Sequence, residues 1–228
     1  VLISLAAGLM LGAAVFALLL PALEHAGRDV AHPVGATAAV TTALLTGALA
    51  LYVANRWLPH EHFVKGREGE EDRPSTLPRA VLLAVAIAIH NFPEGLSVGI
   101  GAASGDAVLT GTLMVAMALQ NVPEGLVVAL GLRAAGFDRV RAFLLASGTG
   151  LMEVLGGVAG GASLAFSSEL LPWALAFAAG AMLYVISDEI IPESHQPGLA
   201  HRATASLFAG LAAFLMLDAV IQHWAGAC

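Results

Sequence analysis

The chain has 228 residues, of which 58% are hydrophobic and only 12% are charged, and its formal net charge is −7. Soluble domains carry about 25% charged and about 45–50% apolar residues, so this chain has too little polar surface to coat a water-soluble globule. The hydrophobicity also excludes a disordered chain, and the single cysteine, Cys228, excludes a disulfide scaffold. The negative charge argues against a nucleic acid as partner, so the lipid bilayer is the expected surrounding.

Seven segments are long and apolar enough to cross a bilayer, which takes about 20 mostly apolar residues. In chain order, the predicted spans are 1–23, 35–58, 79–103, 106–132, 139–166, 169–192 and 203–225. Pairs of glycines four positions apart predict close helix packing, namely Gly95/Gly99, Gly156/Gly160 and Gly157/Gly161. The sequence therefore predicts a single all-α transmembrane domain, a polytopic membrane helix bundle over residues 1–228. Because the chain opens at Val1 inside an apolar run, we expect the start of the natural protein to be missing.

The basic residues predict how the bundle is oriented, because cytoplasmic loops are enriched in Lys and Arg. Nine of the ten basic residues fall on one side of the predicted spans, and only Arg28 falls on the other. This places segment 59–78 in the cytoplasm as a solvated, charged loop and the C-terminus outside the cytoplasm. His60 and His62 open this loop, and the alternative to a plain linker is a weak metal-capturing site on the cytoplasmic face.

Two neighbouring spans carry matching polar motifs. The third span contains His90-Asn91-Phe92-Pro93-Glu94-Gly95, and the fourth contains Gln120-Asn121-Val122-Pro123-Glu124-Gly125. Side chains three and four positions apart share one face of a helix, so each motif presents an imidazole or amide ligand one turn before a carboxylate. An ionisable residue at membrane depth is costly, which makes each one a functional candidate.

A proline lies inside each motif and predicts a kink. Proline has no N–H and clashes with the carbonyl four residues back, so Pro93 should release the carbonyl of Ile89, and Pro123 that of Leu119. Paired interrupted helices point to the substrate site of a transporter. Taken singly, each of these residues has a plain alternative, because a buried Glu or Asn often only joins two helices and a proline often only bends one.

The charges favour a bound cation. Glu94, Glu124 and Glu153 would put three negative charges in a low-dielectric space, and no Lys or Arg lies in any span core to balance them. Imidazole, carboxylate and amide ligands suit first-row divalent ions, and Zn²⁺ in particular. Met10, in the first span, either adds a thioether ligand that favours Cd²⁺ or Zn²⁺ or only packs in the core.

With these motifs, the chain closely resembles the ZIP (Zrt/Irt-like) family of divalent metal transporters, as a bacterial member. The resemblance extends over nearly the whole chain, because Glu153 follows in the next span and Asp188-Glu189-Ile190-Ile191-Pro192-Glu193 closes the one after. Members of the family have at least eight membrane helices, so the seven spans here would correspond to the second through the eighth.

The resemblance implies a binuclear metal centre midway through the membrane. One ion would be bound by His90, Glu94, Gln120 and Glu124 with Met10 as a further ligand, and its neighbour by Asn91, Glu94, Asn121, Glu124 and Glu153. Glu24 and His25 resemble an entrance on the outer side; Asp188, Glu189, Glu193 and His195 resemble an exit on the inner side, and Asp218 joins the path. The family often has His in place of Gln120 and Asp in place of Asn121, so we expect weaker or differently selective binding here.

The predicted function is transport of a divalent transition metal into the cytoplasm, with zinc as the first candidate, cadmium as its surrogate, and iron or manganese after them. The resemblance further implies an elevator-type motion and a homodimer, and the composition suggests a bacterial inner membrane. The sequence leaves two alternatives. An intramembrane zinc-dependent hydrolase would need an H-E-x-x-H helix, which the sequence lacks, and a proton or cation antiporter would not need the His and amide ligands.

Overall fold

The computed structural model describes residues 1–28, 33–58, 60–62, 66–68, 79–195 and 198–226. Ten α-helices occur in these ranges: α1 (Leu2–Gly12), α2 (Leu20–Arg28), α3 (Pro33–Trp57), α4 (Arg79–Ser104), α5 (Ala107–Ala134), α6 (Arg139–Thr149), α7 (Leu151–Phe166), α8 (Leu171–Val185), α9 (Ile191–Ser194) and α10 (Ala200–Gly226). A π-helical segment joins α1 to α2 (Ala13–Leu19), and another joins α8 to α9 (Ile186–Ile190).

The predicted all-α membrane bundle is confirmed. Within the described ranges, six helical runs are long and apolar enough to cross a membrane: Leu2–Gly27, Pro33–Trp57, Ala107–Ala134, Arg139–Phe166, Ser168–Ser194 and Ala200–Ala225. The remaining predicted span is α4, a helix of 26 residues. The most deeply buried part of the core lies along α1 and α8, where small residues such as Ala7, Ala178 and Ala179 have no exposed surface.

Two of the spans depart from regular α-helix, which the sequence did not predict. The first span passes through the π-helical segment Ala13–Leu19, and the sixth through Ile186–Ile190. A π-helix forms hydrogen bonds from residue i to i+5, so each segment widens one turn of an otherwise regular helix. The second segment contains Asp188 and Glu189, two of the predicted exit residues, so the irregular backbone lies at a candidate site.

Glycines allow three helix pairs to pack backbone to backbone: α4 with α7, α3 with α8 and α1 with α10. A Cβ atom built on Gly95 would overlap the carbonyl oxygen of Glu153, and one on Gly156 would overlap that of Phe92. Gly99 and Gly160 are equally confined, whereas Gly157 and Gly161 have only ordinary contacts. The predicted close packing is therefore present, and it fixes α4 against the helix that carries Glu153.

The described part of segment 59–78 forms two short strands, which the sequence did not predict. Strand β1 (His60–His62) pairs antiparallel with β2 (Gly66–Glu68), with His60 opposite Glu68, and β1 contacts α4. His60 is 1% exposed, and its Nδ1 lies 2.6 Å from the carbonyl oxygen of Leu58. The expectation of a solvated loop is thus wrong for His60, because this residue is covered by packing. The His62 side chain and residues 59, 63–65 and 69–78 lie outside the described residues.

Candidate metal centre

The two motif helices bring the predicted ligands into the protein interior. Both α4 and α5 run without interruption through their prolines, Pro93 and Pro123. Glu94 and Gln120 have no exposed surface, and His90 is 4% exposed. The amphipathic spacing of the motifs explains this burial, because it turns the polar face of each helix away from lipid.

Six side-chain oxygens on these two helices are buried without a hydrogen-bond partner. They are Oδ1 of Asn91, Oε1 of Gln120 and both carboxylate oxygens of Glu94 and of Glu124. Buried polar atoms nearly always have a partner, and an unsatisfied acceptor costs free energy. Besides the side chain of Gln120, the groups that act on Glu94 are Glu124 and Glu153, which are also acids. A set of oxygens of this kind is suited to a cation.

The amide nitrogens of the site, by contrast, all have acceptors. Asn91 Nδ2 donates to Thr149 Oγ1 at 3.5 Å, Gln120 Nε2 to Met117 Sδ at 3.1 Å, and Asn121 Nδ2 to Glu153 Oε2 at 2.8 Å. The oxygen ends of Asn91 and Gln120 are the unsatisfied ones. In Asn91 and Gln120, the end that remains for a cation is therefore the oxygen.

Glu153 reaches the site from a broken span. Helix α6 ends at Thr149, and α7 begins after Gly150, so the fifth predicted span consists of two helices. Glu153 is in the first turn of α7, where a carboxylate is favoured by the helix dipole, and it is half-buried. Its hydrogen bond with Asn121 links α7 to α5.

The structure also brings Glu189 to the predicted ligand His90. His90 Nε2 is hydrogen-bonded to Glu189 Oε2, and Asn55 Nδ2 donates to Glu189 Oε1. Asn55 is 4% exposed near the end of α3, and sequence reasoning missed it. The amide of Asn55 inside an apolar span was a signal of a functional residue, but the Arg56 and Trp57 that follow it are typical of the end of a span at the membrane interface.

Within the described residues, no three His, Cys, Asp or Glu side chains form a closed ligand group.

The predicted ligand Met10 and the predicted path residues Glu24, His25 and Asp218 lie outside the two motifs. Met10 is fully buried in α1, Glu24 is exposed, and His25 Nδ1 lies 2.8 Å from the carbonyl oxygen of Pro21. Asp218 accepts hydrogen bonds from Thr112 at 3.1 Å and from Gln222 at 2.7 Å, which joins α10 to α5.

The predicted exit residues lie in the π-helical segment Ile186–Ile190 and in the chain that follows it. Asp188 accepts a hydrogen bond from Tyr184 at 3.3 Å, and Glu193 is half-buried in α9. His195 Nε2 lies 3.2 Å from Thr204 Oγ1 at the start of α10. Two of the predicted exit residues act on the motif residue His90: Glu189 by a hydrogen bond and Glu193 by its charge.

A polytopic helical bundle with buried acids on paired motif helices is typical of membrane proteins that transport cations. Residues 59–218 match the family described as ZIP zinc transporter. The chain is 44% identical over 207 residues to zinc transporter GufA of Myxococcus xanthus, covering 91% of this chain and 81% of the relative. It is 40% identical over 221 residues to zinc transporter ZIPB of Bordetella bronchiseptica, covering 96% of this chain and 71% of the relative. Human zinc transporter ZIP11 is 45% identical over 150 residues, covering 63% of this chain and 44% of that protein.

The chain belongs to the ZIP family. The predicted resemblance is therefore confirmed, and so is the prediction that the protein is a transporter and not an enzyme.

Proposed function

We propose that the protein carries divalent transition metal, zinc first, across the membrane into the cytoplasm through a binuclear site between α4, α5 and α7. The observation that carries this proposal is the set of six buried, unpartnered oxygens on two facing motif helices. The names of the relatives, which are zinc transporters, supply the choice of metal. Because zinc is the cargo, the site must bind it reversibly, which fits a donor set without thiolates.

The proposed ligands divide between two ions that share Glu94 and Glu124. His90 and Gln120 bind the first ion, with Met10 as a further ligand, whereas Asn91, Asn121 and Glu153 bind the second. Two bridging carboxylates are supported by the interactions of Glu94 with both Glu124 and Glu153. Glu189 lies against His90 and supports a path that continues from the first ion toward the exit residues.

The proposed motion is of the elevator type. The glycine contacts make α4 and α7 one rigid pair and α3 and α8 another, so a displacement of the site would occur between such pairs. The bias of basic residues supports a cytoplasmic segment 59–78 and an extracytoplasmic C-terminus. A homodimer in a bacterial inner membrane completes the proposal.

The test is metal flux into proteoliposomes. We expect saturable entry of Zn²⁺ and Cd²⁺ with Mg²⁺ inert, and a fall of more than about 100-fold for Glu94→Ala and His90→Ala, because outer-shell partners alone are worth about 10–100-fold. Matched controls are Glu169→Ala and His201→Ala, whose side chains are exposed at the ends of spans. Metal that binds to folded protein but never crosses would contradict transport and favour a metal sensor.

Transport is expected to depend on external pH. Carboxylates and imidazole must be deprotonated to bind a metal, so protons compete with Zn²⁺ for the site. We expect the initial rate of Zn²⁺ uptake at subsaturating metal to fall as the external pH is lowered from about 7.5 to 5.5. The measurement uses vesicles with clamped membrane potential and a fixed internal pH. An unchanged rate across this range would contradict the proposed ligands.

A further inference from the structure

The site contains amide side chains, and an amide can face a cation in two ways. The oxygen of Asn or Gln is an acceptor that binds metal, whereas its NH₂ group is a donor that repels it. The two ends have nearly the same shape, so packing alone does not distinguish them. A neighbour that can only accept hydrogen bonds does distinguish the two ends, because it pairs only with the NH₂ group.

Met117 is such a neighbour for Gln120. It lies one turn earlier on α5, is 1% exposed, and its sulfur is 3.1 Å from Gln120 Nε2. A thioether has no hydrogen to donate, so it can pair only with the NH₂ end of the amide. Gln120 Oε1 is then directed away from Met117, and it is one of the buried oxygens without a partner. The Glu94 carboxylate also interacts with the Gln120 side chain and, like the thioether, can only accept from its NH₂ group.

Thr149 has the same effect on Asn91 by a different route. A hydroxyl can donate as well as accept, but Thr149 Oγ1 donates its hydrogen to the carbonyl oxygen of Ala146 at 2.7 Å. Its remaining capacity is to accept, and it receives Asn91 Nδ2 at 3.5 Å. Asn91 Oδ1 is again left as a buried oxygen without a partner. The break after α6 matters here, because it places the last residue of that helix against α4.

We propose that Met117 and Thr149 are positioning residues, which turn the oxygens of Gln120 and Asn91 toward the transported cation by holding their NH₂ groups. This inference rests on the proposed function, because it requires a cation between α4 and α5. Neither residue is a metal ligand in this proposal. They determine whether the ion meets the oxygen or the NH₂ group of each amide.

The first test measures the affinity of the purified full chain for Zn²⁺, Mn²⁺ and Cd²⁺, each as its chloride, by calorimetry in detergent. We expect Thr149→Val and Met117→Leu to weaken binding of all three ions about 10-fold, the low end for outer-shell partners. Thr149→Ser keeps the hydroxyl and should restore affinity. A loss for Met117→Leu that is confined to Cd²⁺, the softest of the three ions, would instead make Met117 a direct ligand and overturn the proposal.

The second test replaces each amide with a carboxylate, so that the orientation of the side chain no longer matters. A carboxylate has oxygen at both ends, so it needs no neighbour to select one. In an Asn91→Asp background, adding Thr149→Val should change affinity by less than about twofold, the range of independent sites, and so should Met117→Leu in a Gln120→Glu background. If each substitution weakened binding as much in its carboxylate background as in the otherwise unsubstituted protein, the proposal would be overturned. Met117 and Thr149 would then act only through packing.

Failure of the proposed function and failure of the positioning role would give different results. If the unsubstituted protein binds none of the three metals, the proposed function fails. If it binds and transports Zn²⁺ while Thr149→Val and Met117→Leu bind it as tightly, only the positioning role fails.

Discussion

Replacing Glu94 with glutamine is expected to stabilise the metal-free protein and to abolish its stabilisation by zinc. The Glu94 carboxylate is fully buried and interacts with the acids Glu124 and Glu153. Glutamine has the same shape without the charge. Relieving an unsatisfied buried group is worth about 1–3 kcal/mol, which corresponds to a rise in melting temperature of roughly 2–10 °C.

Zinc should stabilise the unsubstituted protein and should not stabilise Glu94→Gln. Ligand at 100 times its dissociation constant adds about 2.7 kcal/mol to the stability of a protein that binds it only when folded. Thermal unfolding in detergent, with chelator and then with Zn²⁺, should show this gain for the unsubstituted chain and not for Glu94→Gln. The exposed Glu169→Gln is the control and should keep the full zinc effect. A Glu94→Gln protein that zinc stabilises fully would contradict a site built on this carboxylate.

Gly156→Ala is expected to destabilise the protein and to reduce transport, although alanine is the better helix former. A Cβ atom at this position would overlap the carbonyl oxygen of Phe92 and lie 2.8 Å from the backbone nitrogen of Leu96, so α4 and α7 must separate. Overpacking costs about 1–3 kcal/mol. The separation would also move Glu153 away from Glu94, which couples the loss of stability to a loss of metal affinity.

Gly148→Ala provides the matched control for this substitution. Gly148 is in α6, and a Cβ atom there would meet no other atom within 4 Å. Alanine should therefore be neutral or stabilise by up to about 1 kcal/mol, the difference in helix propensity. Urea or thermal unfolding of the two variants, with Zn²⁺ flux measured on the same preparations, gives the comparison. Equal stabilities for Gly156→Ala and Gly148→Ala would show that the helices tolerate separation.

The spans and the motif residues could be predicted because they depend on local sequence. Length and apolarity determine which segments cross a bilayer, and the spacing of His90, Asn91 and Glu94 determines that they share a face. The glycine pairs were also visible, and Gly95, Gly99, Gly156 and Gly160 all meet a neighbouring backbone. These features require no knowledge of which helices are neighbours.

The contacts between distant elements could not be predicted. Asn55 and Glu189 are 134 residues apart, and Asn91 and Thr149 are 58 apart. Only the packing of α3, α4, α6 and the π-helical segment Ile186–Ile190 reveals that they meet. The role of Glu189 beside His90 was missed for the same reason, because the motif around it resembles an exit station. The burial of His60 depends on a strand pair in a charged loop, which composition does not indicate.

The π-helical segment Ile186–Ile190 has a consequence for how this span tolerates changes in length. One residue inserted into a regular α-helix rotates every later side chain by about 100°, since each residue adds that angle. A π turn absorbs one residue locally, so the faces on either side keep their directions. The end of α8 can therefore lose one residue and return to regular helix with Tyr184 and Glu193 still facing as they do. The same deletion within α4 or α5 would turn half of a motif toward lipid.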